Sequence, residues 1–329
     1  MKIKRQQNIL LIGTKNEYQL LKTWTKNNSK DLFHLNGWYH NKDTQIDATQ
    51  LTKKYETMTG DEFVDHFVIN PSDLGSEILD ASIDWAESKG ARIHIIQSDI
   101  SFLNKKFDEK NKFGPFPAVA LYREPLSHRN NQLIKILFDY ILSTIILMGI
   151  FWWFYPLVGL FIKLSGNGPV IIRQERIGIN GFRFKCMKFR TMTSNKIAES
   201  GAGPLTVGDD SRITWIGKIL RKTNLDELPQ FINVLYGEMS VIGPRPHMLS
   251  EDKEIENKIK RYRIRRFLKP GITGLAAIQG FRGGTIDIDK MQKRIDYDIK
   301  YLEEWTLWLD IKIAFITFWK MITFDTGGS

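Results

Sequence analysis

The chain has 329 residues, a formal net charge of +10 and a single cysteine, Cys186. This length leaves room for two domains and a membrane anchor. One cysteine excludes an intramolecular disulfide framework and favours a reducing compartment. The excess of positive charge predicts an anionic partner, which could be membrane lipid, a phosphorylated substrate or nucleic acid.

The first part of the chain alternates apolar strand patterns with helical patterns. Strands are predicted at residues 8–13, 63–69 and 91–96, and helices around Leu21 and over 72–89. This alternation predicts a parallel sheet, an α/β Rossmann-like module over residues 1–120. Thr14 follows Gly13 where a dinucleotide-binding fingerprint continues towards further glycines. We therefore favour a structural, dimerising or regulatory module over a working NAD site.

A long apolar run follows a predicted linker over residues 121–132. No charged residue occurs between Tyr140 and Ile162, and about 20 apolar residues suffice to cross a bilayer. Pro156 lies inside the run, where it removes a backbone donor and disfavours helical geometry at the preceding residue. We predict a re-entrant membrane helix over residues 133–164 that breaks at Pro156 and leaves on the side where it entered. The alternative is a buried helix in a large soluble core.

Charge and hydropathy also predict how the remaining chain meets the membrane. Basic residues are denser after the apolar run than before it, which predicts that the domain over residues 165–324 is cytoplasmic. The stretch from Trp305 to Phe324 forms a broad apolar surface interrupted by charges, which is typical of an interfacial helix. An ordinary core helix is the alternative. Residues 325–329 are predicted to form a tail.

Two adjacent carboxylates, Asp226 and Glu227, are the candidate chemical groups. They are predicted in the first turn of a helix, where such a pair is more often a solvated cap. The helix end and Arg221 would supply positive potential that keeps Asp226 ionised, a condition for nucleophilic attack on phosphorus. Glu227 would point elsewhere and is a candidate Mg²⁺ ligand, since Mg²⁺ takes one or two carboxylates and completes its shell with water and phosphates.

Several motifs occur in one order along the second part of the chain. They are KILFD at 135–139, the Pro-containing apolar run, RQERIG at 173–178, KFRTM at 188–192, DELPQ at 226–230, GPRP at 243–246 and KPGITG at 269–274. This order resembles the bacterial polyprenol-phosphate phosphoglycosyl transferases, the monotopic sugar transferases that start exopolysaccharide and O-antigen repeat units. The resemblance covers residues 133–323.

The resemblance implies an α+β membrane-associated catalytic domain at the cytoplasmic face of the bacterial inner membrane. It implies Mg²⁺ dependence and transfer of a hexose-1-phosphate from a UDP-sugar to undecaprenyl phosphate, with release of UMP through a covalent aspartyl-phosphosugar. Asp226 would be the nucleophile and Glu227 its acidic neighbour. The candidate contacts to phosphate or nucleotide are Arg221, Arg245, Lys188, Arg190 and Arg282. The segment GFRGGT at 280–285 resembles the branch that uses UDP-hexoses, most often UDP-glucose.

The expected partners are the UDP-sugar, undecaprenyl phosphate and inner-membrane lipids, with a homodimer left open. The basic segment 258–269 contains interleaved aromatic residues, as nucleic-acid-binding segments do. Anionic lipid is the better match for a chain that already enters a membrane, so no nucleic-acid partner is expected. A non-catalytic membrane-bound scaffold or regulator of polysaccharide assembly is the alternative function, and Asp226→Asn would separate it from an enzyme.

Overall fold

The computed structural model describes residues 6–27, 33–39, 47–60, 63–96, 112–193, 212–281 and 287–323. It contains two compact units of mixed α and β structure, as the predicted fold class requires. Unit 1 comprises residues 1–123 and 260–264, and unit 2 comprises residues 124–259 and 265–329.

Unit 1 contains a six-stranded sheet with the strand order β2-β1-β3-β4-β6-β5. Its strands are β1 (Gln7–Ile12), β2 (Phe33–Tyr39), β3 (His66–Ile69), β4 (Arg92–Ile96), β5 (Lys112–Phe113) and β6 (Phe116–Ala120). Its helices are α1 (Lys15–Asn27), α2 (Ala48–Thr59) and α3 (Ser76–Lys89). The first four strands in this order are parallel, whereas β6 runs antiparallel to β4 and β5. The predicted parallel sheet is therefore mixed.

Strand β1 lies at the centre of the core of unit 1. Ile9 and Leu11 pack into one apolar cluster with Phe113 from β5. Leu10 and Ile12 point to the other face and pack into a second cluster, which includes Tyr55 from α2. Because both faces are buried, β1 is a continuous apolar run rather than an alternating strand.

Unit 2 begins with the apolar helix and continues with small sheets and helices. Its helices are α4 (Arg129–Ile146), α5 (Trp152–Leu164), α6 (Trp215–Thr223), α7 (Gln230–Leu235), α8 (Leu249–Lys258), α9 (Leu275–Ile278), α10 (Ile288–Glu304) and α11 (Leu307–Ile322). Its strands are β7 (Ile171–Ile177), β8 (Arg183–Phe189), β9 (Ser240–Ile242) and β10 (Gly271–Thr273). β7 and β8 form an antiparallel hairpin, and β9 and β10 form a parallel pair.

The apolar helix extends over residues 129–164 and is long and apolar enough to cross a membrane. It starts four residues before the predicted position, inside the predicted linker. Its α-helical hydrogen bonding changes to a π-turn at Leu147–Phe151, and Pro156 lies inside the following helix α5. The irregularity is thus upstream of Pro156 rather than at it.

The β9–β10 pair requires a close approach of two backbone segments. A Cβ atom on Gly243, directly after β9, would collide with the carbonyl oxygen of Lys269 and contact Gly271. Glycine is therefore needed at position 243 for the two segments to pack. This packing fixes the start of the loop that carries Arg245.

Candidate active site

The two acidic residues lie in a short turn between α6 and α7. Helix α6 ends where Asn224 adopts a left-handed conformation with φ of 56°, which asparagine tolerates better than most residues. The 3-10 turn Leu225–Glu227 follows, and Pro229 directly precedes α7. The carboxylates therefore lie before α7 and not, as predicted, in the first turn of that helix.

Glu227 is buried, with 4% exposure, and binds two cations. Its Oε1 lies 3.1 Å from Lys188 Nζ. Arg245 contacts Oε1 at 2.8 Å and Oε2 at 3.2 Å through its two terminal nitrogens, a fork geometry that is favourable for arginine and carboxylate. The Glu227 carboxylate raises the pKa of Arg245. Two of the predicted phosphate contacts thus lie together on the acidic neighbour of Asp226.

Asp226 is half-buried, beside the same charged groups. Burial raises the pKa of its carboxyl group, and Glu227 acts in the same direction. Lys188, Arg245 and Arg221 oppose this by lowering the pKa. The expected influence of Arg221 is therefore present, but burial determines the direction of the shift. No side-chain hydrogen bond to the Asp226 carboxylate occurs within the described ranges, so its oxygen lone pairs are available for chemistry.

Strand β8 supplies Lys188, and Asn233 on α7 holds that strand. The Asn233 side chain donates to the Lys185 carbonyl at 2.9 Å and accepts from the Met187 amide at 2.9 Å. Asn233 is fully buried, and its remaining amide hydrogen is donated to Glu238 at 2.6 Å. The sequence motifs did not include this residue. Its only signal was its position seven residues after Asp226, on the helix that follows the carboxylates.

Helix α6 brings Arg221 towards the site by packing closely against the end of β8. A Cβ atom on Gly217 would collide with the carbonyl oxygen of Thr191. One helical turn later, Arg221 Nε donates to Thr191 Oγ1 at 2.9 Å. Arg221 is thereby fixed where its charge acts on Asp226.

The other predicted site residues have different positions. Arg190 is buried and donates to the carbonyls of Ile162 at 2.8 Å and Gly166 at 2.6 Å, as well as to that of Asn167. Arg190 therefore caps the C-terminal end of α5, and its assignment as a phosphate contact is corrected. Arg282 lies outside the described residues.

Arg245 lies in a loop that further buried charges hold in place. Arg265 donates to the Arg245 carbonyl at 2.6 Å and to Asp298 Oδ2 at 2.9 Å. A small cavity adjoins this loop and is lined in part by Gly243, Arg245, Thr273, Gly274, Arg294 and Asp298. Guanidinium groups and glycine backbone are suitable lining for an anionic group.

The acidic pair offers carboxylate oxygens, the donor atoms that Mg²⁺ prefers. No cluster of three or more His, Cys, Asp or Glu side chains that could hold a metal occurs in the described part of the chain. Mg²⁺ is usually bound by one or two carboxylates together with water and substrate phosphates, so Asp226 and Glu227 fit this ion. The cations on Glu227 leave its Oε2 as the less engaged oxygen.

Helix α11 has one buried face and one exposed apolar face. The large exposed side chains are Leu307, Trp308, Ile311, Phe315, Phe318, Trp319 and Ile322. Two residues of the predicted apolar surface are placed differently, because Trp305 is buried and Asp310 accepts its indole N–H at 3.1 Å. Asp310 is therefore an internal group and does not interrupt the exposed surface.

Charges of the basic segment 258–269 are paired within each unit. In unit 1, Lys260 lies 2.9 Å from Asp84. In unit 2, Arg265 lies 2.9 Å from Asp298, and Arg266 pairs with Asp252. This pairing makes the segment a poorer site for anionic lipid than its sequence indicated.

Comparisons with known proteins identify the family of this chain. Residues 130–324 match the family model described as bacterial sugar transferase. A UDP-glucose:undecaprenyl-phosphate glucose-1-phosphate transferase of Escherichia coli (strain K12) is 43% identical over 224 residues, which are 67% of this chain and 46% of that protein. A protein with the same name from Klebsiella pneumoniae is 44% identical over 229 residues, 68% of this chain and 47% of that protein. A third, from Caulobacter vibrioides, is 38% identical over 218 residues, 65% of this chain and 75% of that protein. The aligned part of this chain spans about half the length of the first two relatives.

Proposed function

The chain belongs to the bacterial sugar transferase family, and from this premise we propose that it transfers a hexose-1-phosphate from a UDP-sugar to undecaprenyl phosphate. UMP is the second product. The names of three relatives support UDP-glucose as the donor. The observation that carries the proposal is the half-buried Asp226 beside a Glu227 carboxylate that holds Lys188 and Arg245.

The first step is attack by an Asp226 carboxylate oxygen on the phosphorus that bears the sugar. A bond forms between this oxygen and phosphorus, and the bond from that phosphorus to the bridging diphosphate oxygen breaks. The electron pair leaves with UMP. Lys188, Arg245 and Arg221 act on Asp226, so the same cations are placed to offset the charge that builds up on the departing phosphate.

The second step regenerates the enzyme. A phosphate oxygen of undecaprenyl phosphate attacks the phosphorus of the aspartyl-phosphosugar, and the bond to Asp226 breaks. The carboxylate leaves as an anion, and the lipid-linked sugar diphosphate is released. The lipid acceptor requires a site at the bilayer surface, which the helix over 129–164 and the exposed apolar face of α11 support.

Glu227 would hold Mg²⁺. The ion would supply Lewis-acid neutralisation of the donor's diphosphate. The protein residues keep separate roles, because Glu227 orients Lys188 and Arg245 whereas Asp226 carries the nucleophilic oxygen.

We further propose that the helix over 129–164 is re-entrant, and that unit 2 faces the cytoplasm at the inner membrane, in contact with its lipids. At about 1.5 Å per residue a straight helix of this length would measure about 54 Å, well beyond the ~30 Å hydrocarbon core. The π-turn at Leu147–Phe151 supports a bent path. Unit 1 would be a Rossmann-like module with a structural or regulatory role, supported by its four parallel strands.

Release of UMP tests the proposed function. Purified protein in lipid nanodiscs is mixed with undecaprenyl phosphate, Mg²⁺ and each of a panel of UDP-sugars. Turnover is expected with one hexose donor, and Asp226→Asn should reduce it at least about a thousandfold, as loss of a nucleophile does. Asp289→Asn, at an exposed acid on α10, is the matched control and should turn over normally. Absence of turnover with every donor, from folded protein, would favour the scaffold function.

A further inference from the structure

A buried polar cluster connects the membrane helix with the C-terminal helices. Lys135 on α4 lies 2.7 Å from Asp310 on α11 and 3.5 Å from Asp139 one turn along its own helix. Asp310 also accepts hydrogen bonds from the Tyr301 hydroxyl at 2.6 Å and from the Trp305 indole at 3.1 Å. All five residues are at most 7% exposed. Such a cluster is costly to bury, so its members need one specific arrangement.

The same cluster holds strand β9. Asp139 Oδ1 accepts from the Val241 amide at 3.0 Å and from the Ser240 hydroxyl at 3.0 Å. The Tyr301 hydroxyl lies 3.2 Å from the Ile242 carbonyl oxygen. Asp139 on α4 therefore holds Ser240 and Val241 of this short strand directly. Tyr301 on α10 donates its one hydroxyl hydrogen to Asp310 and lies beside Ile242.

Strand β9 leads directly into the loop with Arg245. Gly243, Pro244 and Arg245 follow Ile242 without an intervening element. Arg245 then forms the forked contact to Glu227. A shift of β9 would therefore move the guanidinium relative to the carboxylate pair.

We infer that the membrane helix positions Arg245 through this cluster, which makes Asp139 and Tyr301 positioning residues for the reaction. The inference rests on the proposed function, because Arg245 is there the group that offsets charge at phosphorus. The position of α4 against β9 would then be required for the chemical step as well as for membrane anchoring.

Tyr301→Phe is the first test, because it removes one hydroxyl and leaves the ring in place. We expect kcat to fall about fivefold to tenfold with an unchanged KM for the lipid acceptor, the scale of one lost hydrogen bond. Tyr236→Phe, at an exposed tyrosine, is the matched control and should have no effect. Asp139→Ala should lower kcat further. Asp139→Asn should retain most of it, since an amide oxygen still accepts from Ser240 and Val241.

A double-mutant cycle separates positioning from general stability. In an Arg245→Gln background, Tyr301→Phe should change kcat by less than about twofold, because residues that act through one another are not additive. The same multiplicative loss in both backgrounds would overturn the inference. So would an unchanged kcat in folded Tyr301→Phe and Asp139→Ala.

Hydrogen exchange of the peptide over residues 238–246 tests the inference without turnover. Exchange should be faster in Asp139→Ala and Tyr301→Phe than in wild type or Tyr236→Phe. Unchanged exchange in both variants would refute the proposal that the buried cluster holds β9 in place. If wild type shows no turnover but the exchange differences appear, the proposed function fails while the contact between the membrane helix and β9 stands.

Discussion

Asp226 and Glu227 are neighbours in sequence but have different surroundings. Glu227 is buried and holds Lys188 and Arg245, so removing it would leave two cations without their partner. Asp226 is half-buried and carries the unengaged carboxylate. The turn Leu225–Glu227 produces this difference, because it points adjacent side chains in different directions. The two residues should therefore give different kinetic defects when changed.

The raised pKa of Asp226 predicts the pH dependence of the reaction. Attack requires the ionised carboxylate, so kcat/KM should fall as the pH is lowered through a pKa above that of an ordinary aspartate. Lys188 lowers this pKa, so Lys188→Met should move the acid limb to higher pH. Lys185→Met, at an exposed residue of the same strand, should leave the limb in place. An acid limb that is identical in all three proteins would exclude Asp226 as the titrating group.

At the residue scale, the sequence motifs selected four candidate site residues whose roles in the reaction stay predictions. Asp226, Glu227, Lys188 and Arg245 were all identified, and the structure brings them together. Asp310 was counted among the charges that interrupt the apolar surface from Trp305 onwards, because its buried partner Lys135 lies 175 positions away. No periodic pattern can reveal such a pair.

The exposed apolar face of α11 predicts that this helix contacts the membrane. Trp308 and Trp319 are 76% and 59% exposed, whereas Trp305 is 4% exposed. Burying an aromatic side chain of this size is worth about 1.5–3 kcal/mol, so both exposed tryptophans should enter the bilayer interface. Brominated lipids should quench less fluorescence in Trp308→Phe and Trp319→Phe than in wild type. Trp305→Phe should show no such loss of quenching. Equal quenching in all the variants would place α11 away from lipid.

The N-terminus of α1 is capped by a carboxylate from its own first turn. Glu17 accepts from the Thr14 amide at 2.7 Å and from Asn70 at 2.6 Å, and it is 1% exposed. This carboxylate occupies the position that a dinucleotide phosphate would need. It thus gives a physical reason for the missing glycine fingerprint.

Glu17→Ala should destabilise unit 1 by about 1–3 kcal/mol, since two buried donors lose their acceptor. Urea unfolding of the full chain would measure the change. Glu77→Ala, at an exposed acid in the first turn of α3, should be nearly neutral. Added NAD should not stabilise the wild-type protein. A protective effect of NAD would contradict the occupied helix terminus.

Strands and helices with strong apolar patterns were predicted well, and weak patterns were missed. The predictions for β1, α3 and β4 differ from the structure by a few residues at their ends. β2 was missed because Asn36-Gly37 interrupts its apolar pattern with a typical turn pair. β6 contains Pro117, which pairs only with the edge strand β5 and lies beyond its pairing with β4. Proline is compatible with that edge position.

Considered as a whole, the chain should expose both flanks of its membrane helix to one compartment. Asn130, in the first turn of the helix over 129–164, and Asn167, three residues after its end, are both exposed. Cysteines introduced at these two positions should react with an impermeant thiol reagent only after the cytoplasmic side is opened. Reaction of one position in intact spheroplasts and of the other only after lysis would establish a spanning helix instead.

The native chain should react very slowly with thiol reagents, because its single cysteine is buried. Cys186 is 1% exposed in the middle of β8, and burial raises the pKa of its thiol, so little reactive thiolate forms. Any cysteine engineered onto the surface would then be the dominant reactive site without removal of a native one. Spin labels or fluorophores could be attached singly to active protein. A distance between two identical labels would be measured only if two copies of the chain associate. Because the buried Cys186 does not react, singly labelled protein therefore tests directly for a homodimer.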